Sequence, residues 1–206
     1  MDRQRDLSRR KLTVLGLASV VALSSQPINA QTAAAPAPFT GKLDLENTVY
    51  LDLDYGRVVI RLRPDLAPKH VARVKELTRQ GFYDGLVWHR VIDGFMAQTG
   101  DPDGDGSGGS GQNIPAEFNA GKHLRGAVSM ARASNINSAD SQFFIVLADS
   151  AHLDGQYTYW GEVVSGMEFI DKIRKGNPAR NGQVPYPDRV VRMQVAADVK
   201  EAPAKK

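Results

Sequence analysis

The residues best placed to do chemistry lie in one stretch, W-H-R-V-I-D-G-F-M-A-Q-T-G-D, running from Trp88 to Asp101. Two alternating apolar runs, Leu86–Ile92 and Phe95–Thr99, flank Asp93-Gly94, a strong short-range hairpin signal. Side chains alternate along a strand with period 2, so Met96 and Gln98 share one face of the second run. Phe95 and Ala97 take the other face unless the turn or a bulge re-aims one of them. Arg90, on the first run, comes close enough across the hairpin to meet that surface. An arginine, a thioether, an amide and a phenyl ring make an odd core. They make a sensible shallow pocket, with an apolar floor, a polar rim and one fixed cation whose rigid fork can be aimed. Elsewhere the chemistry is sparse. No carboxylate pair, Ser/His/Asp order or metal-ligand cluster stands out, and the 4 histidines are scattered. Without cysteine there is no disulfide, thiolate metal site or thiol nucleophile.

The elements that must position these groups read mostly as strands. Thr48–Leu53 and Arg57–Leu62 alternate and are joined by Asp54-Tyr55-Gly56, which predicts a first hairpin. A helix can start at Pro68, with Asp65 ahead of it and Gly81 after Gln80 as a stop. Within it Val71, Val74 and Leu77 form one apolar face suited to covering a sheet. After the Trp88–Asp101 stretch comes a glycine-rich loop, Asp101–Gly111. Gly126–Met130 and Ser141–Leu147 read as buried strands, the latter pointing Phe143 and Phe144 to opposite faces. Thr158–Val164 and Val190–Val199 are further strands. Met167, Ile170 and Ile173 mark a second short helix closed by Gly176. Roughly eight strands with two helices and no strand–helix alternation predict a mostly β fold, a closed eight-stranded antiparallel barrel capped by two α-helices. In the loop, Asp101-Pro102-Asp103-Gly104-Asp105-Gly106 fits the first half of a calcium-loop pattern. The twelfth position is Gln112 rather than the bidentate glutamate, and no helix flanks it, so a solvated loop is the preferred reading.

The chain has 206 residues and a formal net charge of +3. Residues 1–30 alone carry five Arg/Lys and two Asp/Glu, leaving 21 of each sign beyond them. The basicity belongs to the leader and gives no support to a nucleic-acid partner. In that leader Arg9-Arg10-Lys11 precedes the apolar run Leu12–Leu23, too short to span a membrane, and Ile28-Asn29-Ala30 offers a small residue for cleavage. Residues 1–30 therefore read as a signal peptide and the product as periplasmic or secreted. Ser8-Arg9-Arg10-Lys11-Leu12 also matches the twin-arginine export consensus, which leaves the route, general secretory or twin-arginine, open. Residues 31–45, opening Q-T-A-A-A-P-A-P, read as an Ala/Pro-rich flexible spacer, 46–199 as the folded domain and 200–206 as a flexible tail.

The Trp88–Asp101 stretch resembles the F-H-R-x-I-x-G-F-M-x-Q-x-G-D segment of cyclophilins, the peptidyl-prolyl isomerases. S-M-A-R-A from Ser129, S-Q-F-F-I from Ser141 and L-D-G-Q-Y-T-Y-W-G from Leu153 agree with that family in the same order. The resemblance covers roughly Asn47 to Val199. It implies the capped barrel, a cofactor-free isomerase acting on proline-containing segments of unfolded or folding proteins, and a monomer without metal. It assigns Arg90, Phe95 and Gln98 to catalysis. It assigns Met96, Ala131, Arg132, Gln142, Phe144, His152, Leu153 and Tyr157 to substrate binding, with backbone groups of Ala131 and Arg132 holding the peptide as an added strand. Arg132 replaces the family's usual Asn, and two further positions depart from the pattern. His152 stands where the family usually has tryptophan, just before L-D-G, and the family's histidine just after it falls at Tyr157, which keeps a ring and a hydroxyl donor. From strand position alone, a surface arginine in a weak ion pair is the preferred reading of Arg90, and the flanking motif reverses it. Residue types alone do not separate Phe144 and Leu153 from ordinary barrel core. A catalytically silent, binding-only member of the family is a further alternative, against which the intact Arg90, Phe95, Met96 and Gln98 argue.

Overall fold

The computed structural model describes residues 40–199. Residues 1–39 and 200–206, where the signal peptide, most of the spacer and the flexible tail are expected, lie outside the described residues. Asp44 opens the described domain, its carboxylate accepting from the Glu46 N–H at 3.1 Å and from Asn47 Nδ2 at 2.7 Å. That capped turn, Leu45–Asn47, leads directly into the first strand.

The first hairpin forms as its alternation requires. β1 (Thr48–Leu53) pairs with β2 (Gly56–Leu62) from Thr48↔Arg61 to Leu53↔Gly56. The remaining strands are β3 (Arg90–Ile92), β4 (Met96–Thr99), β5 (Ala127–Met130), β6 (Phe143–Val146), β7 (Tyr159–Ser165) and β8 (Arg192–Val195). They form one antiparallel sheet in the order β3-β4-β6-β5-β7-β2-β1-β8. Register shifts in β2–β7 between Val59 and Ile60, and in β5–β7 between Val128 and Ser129, mark bulges, which bend strands and let the sheet curl.

The curl does not close. The expected barrel is an open, curled half-barrel whose edges are β3 and β8. Residues 86–88, read as the start of β3's run, meet 188–190 instead, through Trp88 N–H to the Asp188 carbonyl, Val190 N–H to Leu86 and the bridge Val87↔Arg189. The last strand is likewise shorter than Val190–Val199. Its register with β1 ends at Val49↔Val195, and a single 3-10 turn, Ala196–Asp198, follows.

Two helices accompany the sheet. α1 (Pro68–Arg79) buries Val71, Val74 and Leu77 as its periodicity requires. Asp65 does not cap it, because Arg63 holds that carboxylate at 2.7 and 2.9 Å. The N-cap is Ala67, with no side-chain acceptor. Glu117 supplies one from another part of the chain, accepting from the backbone N–H of Lys69 at 3.0 Å and of His70 at 2.9 Å. α2 (Met167–Ile170) is a single turn, after which Lys172 and Ile173 donate to carbonyls three residues back and tighten the chain, with Ile173 still buried.

The sheet has apolar residues on both faces. One cluster holds Val91, Ala97, Val128, Phe143, Ile145 and Trp160 together with the α1 side chains. The other holds Met96, Phe144, Val146, Leu153 and Tyr159, with Phe95, Ala131 and Tyr157 against it. Neighbouring residues on β4 and β6 thus fall to opposite clusters, Ala97 against Met96 and Phe143 against Phe144, as period 2 demands.

Candidate active site

The second cluster is where the sequence-derived residues gather. Arg90, Phe95, Met96, Gln98, Ala131, Arg132, Phe144, Leu153 and Tyr157 all line one cavity of about 540 Å³. Gln142 lines an adjoining cavity of about 220 Å³, which Gln98, Ala131 and Arg132 share. His152 is exposed and lines neither; its ring tilts against Phe95 at a centroid distance of 5.4 Å, on the rim. Membership in the outer cluster separates Phe144 and Leu153 from the main core, a distinction residue types could not make.

Register explains the gathering. Arg90 lies opposite Gln98 across β3–β4, and Gln98 opposite Phe144 across β4–β6. Phe95 escapes the alternation that placed it with Ala97 because it precedes β4 and belongs to the turn, its N–H bonded to the Ile92 carbonyl. It joins the floor formed by Met96, Phe144 and Leu153.

The polar rim is a directed chain. Arg90 Nη1 donates to Gln98 Oε1 at 3.0 Å, and Gln98 Nε2 donates to Gln142 Oε1 at 2.8 Å. Gln142 Nε2 then donates to the Gly106 carbonyl at 3.0 Å and the Gly108 carbonyl at 2.8 Å. The Asp101–Gly111 loop thus buttresses the site. Its leading carboxylate, Asp101, is fully buried and accepts from the N–H groups of Asp103, Asp105 and Gly106, so it is engaged by its own backbone rather than facing outward for a cation.

One holder of Arg90 was not anticipated. Asn181 takes Nε on its carbonyl at 3.0 Å and Nη2 on its Oδ1 at 3.0 Å. It is the one non-glycine with positive φ (51°) among the described residues, a conformation asparagine tolerates well. The segment 176–184 brings it there by running along the edge of β3. Val91 donates to the Gly182 carbonyl at 2.8 Å, Gly176 to Val91 at 2.8 Å and Val184 to His89 at 3.0 Å. Gly182 is required at its place, since its φ is 77° and a Cβ would press into Ile92. The only sequence signal was the Asn181-Gly182 dipeptide, a turn marker with nothing to say what the turn would touch.

All the hydrogen bonds of the Arg90 side chain among the described residues go to neutral groups, and no ion pair among them cancels its charge. Burial pushes the guanidinium below its ordinary value, but arginine starts so high that it stays a cation.

Behind Phe144 stands a second unanticipated group. The His123 ring stacks on Phe144 at 6.3 Å, with Nδ1 3.0 Å from Asp154 Oδ1 and Nε2 2.9 Å from Ser129 Oγ. A neutral imidazole donating to Asp154 accepts the Ser129 hydroxyl proton. The pattern is that of an acyl-transfer triad. The serine is fully buried, so no substrate carbonyl can reach it, and the group acts as a rigid backing for the pocket wall. Burial lowers the His123 pKa, against the opposing pull of Asp154.

Ala131 N–H is already bonded to the Gln142 carbonyl at 2.9 Å. The Ala131 carbonyl and the N–H and carbonyl of Arg132 have no partner among the described residues, which leaves them open to an added strand.

Comparison with known proteins follows the same segments. The family model for cyclophilin type peptidyl-prolyl cis-trans isomerases matches residues 48–195. A probable peptidyl-prolyl cis-trans isomerase of Brucella suis is 49% identical over 200 residues, covering 91% of this chain and 97% of the relative. Peptidyl-prolyl cis-trans isomerase B of Bacillus subtilis is 41% identical over 133 residues, 64% of this chain and 92% of the relative. Among solved structures, a cyclophilin from Hirschia baltica matches with a TM-score of 0.70 and 26% identity, over 78% of each chain. A Cryptosporidium parvum cyclophilin type isomerase, crystallised in the presence of the dipeptide Ala-Pro, matches with a TM-score of 0.66 and 27% identity, over 72% of this chain and 98% of that one.

Proposed function

The chain belongs to the cyclophilin-type peptidyl-prolyl cis-trans isomerases, and we propose that it turns X-Pro bonds of proteins folding outside the cytoplasm, with Arg90 as the donor to the twisted prolyl nitrogen. An X-Pro bond must lose amide resonance to rotate, against a barrier of ~18–20 kcal/mol. Half-way round, the prolyl nitrogen is no longer planar and regains a lone pair. A donor placed at that nitrogen stabilises the twisted state more than the planar one, which is the differential binding that catalysis requires. No covalent bond is made or broken, so no nucleophile, general base or cofactor is called for.

The single observation that carries this reading is the position of the Arg90 fork, held on two sides by Gln98 and Asn181 at the edge of an apolar floor. The floor of Phe95, Met96, Phe144 and Leu153 takes the pyrrolidine ring. Gln98 and Gln142, with the open backbone of Ala131 and Arg132, take the flanking chain. Tyr157 sets its edge against Phe144 at 5.6 Å and shapes the wall.

The test is catalytic efficiency on a proline peptide. Arg90→Ala should lower kcat/KM by about 10²–10³, the effect of losing one transition-state donor, while the protein still melts cooperatively. A folded Arg90→Ala protein with undiminished activity would sink the assignment. Export rests on the leader alone, since Arg9-Arg10-Lys11, the apolar run and Ala30 have the signal layout. Mass spectrometry of the mature protein should find an N-terminus at Gln31; an intact Met1 would refute export by that leader.

A further inference from the structure

We infer that this site prefers an acidic residue next to the proline and that Arg132 selects it; the inference rests on the isomerase reading and names a substrate class within it. The charges lining the main cavity are unbalanced, with Arg90, Arg132 and Arg180 set against Asp105. Asp105 already accepts from the Ser107 N–H at 2.8 Å and from its hydroxyl at 2.6 Å. Arg180 has no side-chain partner among the described residues.

Arg132 is the best placed of the three to meet a side chain rather than the reacting bond. It lines both the main cavity and the smaller one, so a chain passing between them runs over it. Its guanidinium is fixed in advance. Nε and Nη2 donate to the Gln156 carbonyl at 3.3 and 3.1 Å, Nη1 donates to the Ala133 carbonyl at 2.9 Å, and the group lies 4.8 Å over the Tyr157 ring. All these partners are neutral, so the positive charge is held but not cancelled. A guanidinium has five N–H donors, and these bonds use three of them, so two remain for a carboxylate. The smaller cavity's own carboxylate, Asp140, is occupied by the N–H groups of Ser110, Gly111 and Gln112 and the Ser110 hydroxyl. A cation so anchored gives up little freedom on meeting an anion, which is why it can discriminate even at a wet rim.

The experiment follows isomerisation by NMR exchange, without a helper protease, on peptides that differ only in the residue before proline: Glu, Ala or Lys. A matched set carries the change after proline. At low salt kcat/KM should fall from Glu to Ala to Lys by about 2- to 5-fold per step in at least one set, the size expected of a partly exposed ion pair. The spread should shrink at roughly 0.5 M salt, where charges are screened over a few Å. In Arg132→Gln the Glu-to-Lys ratio should drop toward one. Equal rates for the three peptides in both sets, with Ala-Pro turned over normally, would overturn the inference and leave the isomerase standing. A ratio unchanged in Arg132→Gln would overturn the role of that residue. Absence of turnover on every peptide would instead overturn the isomerase reading, and the preference with it.

Discussion

At the scale of single residues, the proposed role of Arg90 depends on how its fork is aimed. Gln98 was visible as its neighbour because both fall in one hairpin, and the register Arg90↔Gln98 sets them opposite each other. Asn181 was not visible, because it reaches Arg90 from 91 positions away in sequence. The two holders act on different nitrogens, so removing Asn181 Oδ1 frees Nη2 while leaving Nη1 on Gln98. Asn181→Gly keeps the positive φ and the carbonyl that takes Nε, and loses only that side-chain contact. It should lower kcat roughly ten-fold, near the worth of one hydrogen bond to a charged group, with KM and the melting temperature little changed. Asn181→Ala adds the left-handed backbone cost of about 1–2 kcal/mol, so it should also lower the melting temperature. Equal kcat in wild type and Asn181→Gly would show that Gln98 alone suffices to aim the fork.

At the scale of elements, legibility followed the range of the interactions. The hairpins, the apolar face of α1 and the opposed faces of Phe143 and Phe144 are local patterns, and each was readable from spacing. The beginning of α1 was half readable. Pro68 marked the position, but the acceptor for the first N–H groups is Glu117 and not the nearby Asp65, which pairs with Arg63. Nothing within a helix-length window of Pro68 carries that information. Closure of the barrel failed for a related reason. Strand count predicts how much sheet exists, whereas the residues at 86–88 and 188–190 decide whether its edges ladder, and they make only isolated pairing. The Glu117 contact predicts a separable effect. Glu117→Gln keeps the shape and removes the charge at the helix N-terminus, so it should destabilise the fold by about 0.5–2 kcal/mol. Denaturant titration measures that loss. Peptide turnover by the folded variant should match wild type, because Glu117 lies outside the cavity.

For the whole molecule, three buried histidines set the response to acid. Burial lowers the pKa of His70, His89 and His123 below the ordinary value, and in each it prevails over a carboxylate pulling the other way, Glu117, Asp101 and Asp154 in turn. In the unfolded chain each titrates near 6.5. As pH falls through that value the unfolded state takes up protons that the folded state refuses, so stability drops with falling pH. Two carboxylates extend the loss at lower pH. Asp154 is held low by the His123 N–H and by Lys122, and Glu117, though burial opposes it, by the His70 side chain and the N–H groups of His70 and Lys69. The melting temperature should therefore decline from about pH 7 to pH 5 and further below; a curve flat across the upper interval would contradict burial of the histidines. The segment 176–184 has a consequence at this scale too. It covers the hydrogen-bonding edge of β3 through Gly176, Gly182 and Val184 and holds Arg90 through Asn181, so opening of the segment removes both. On the proposed role of Arg90, the molecule that has lost its aimed donor is also the molecule that shows a bare strand to its neighbours. Inactivation and the first step toward aggregation are then a single equilibrium, and whatever stabilises that segment protects activity and solubility together.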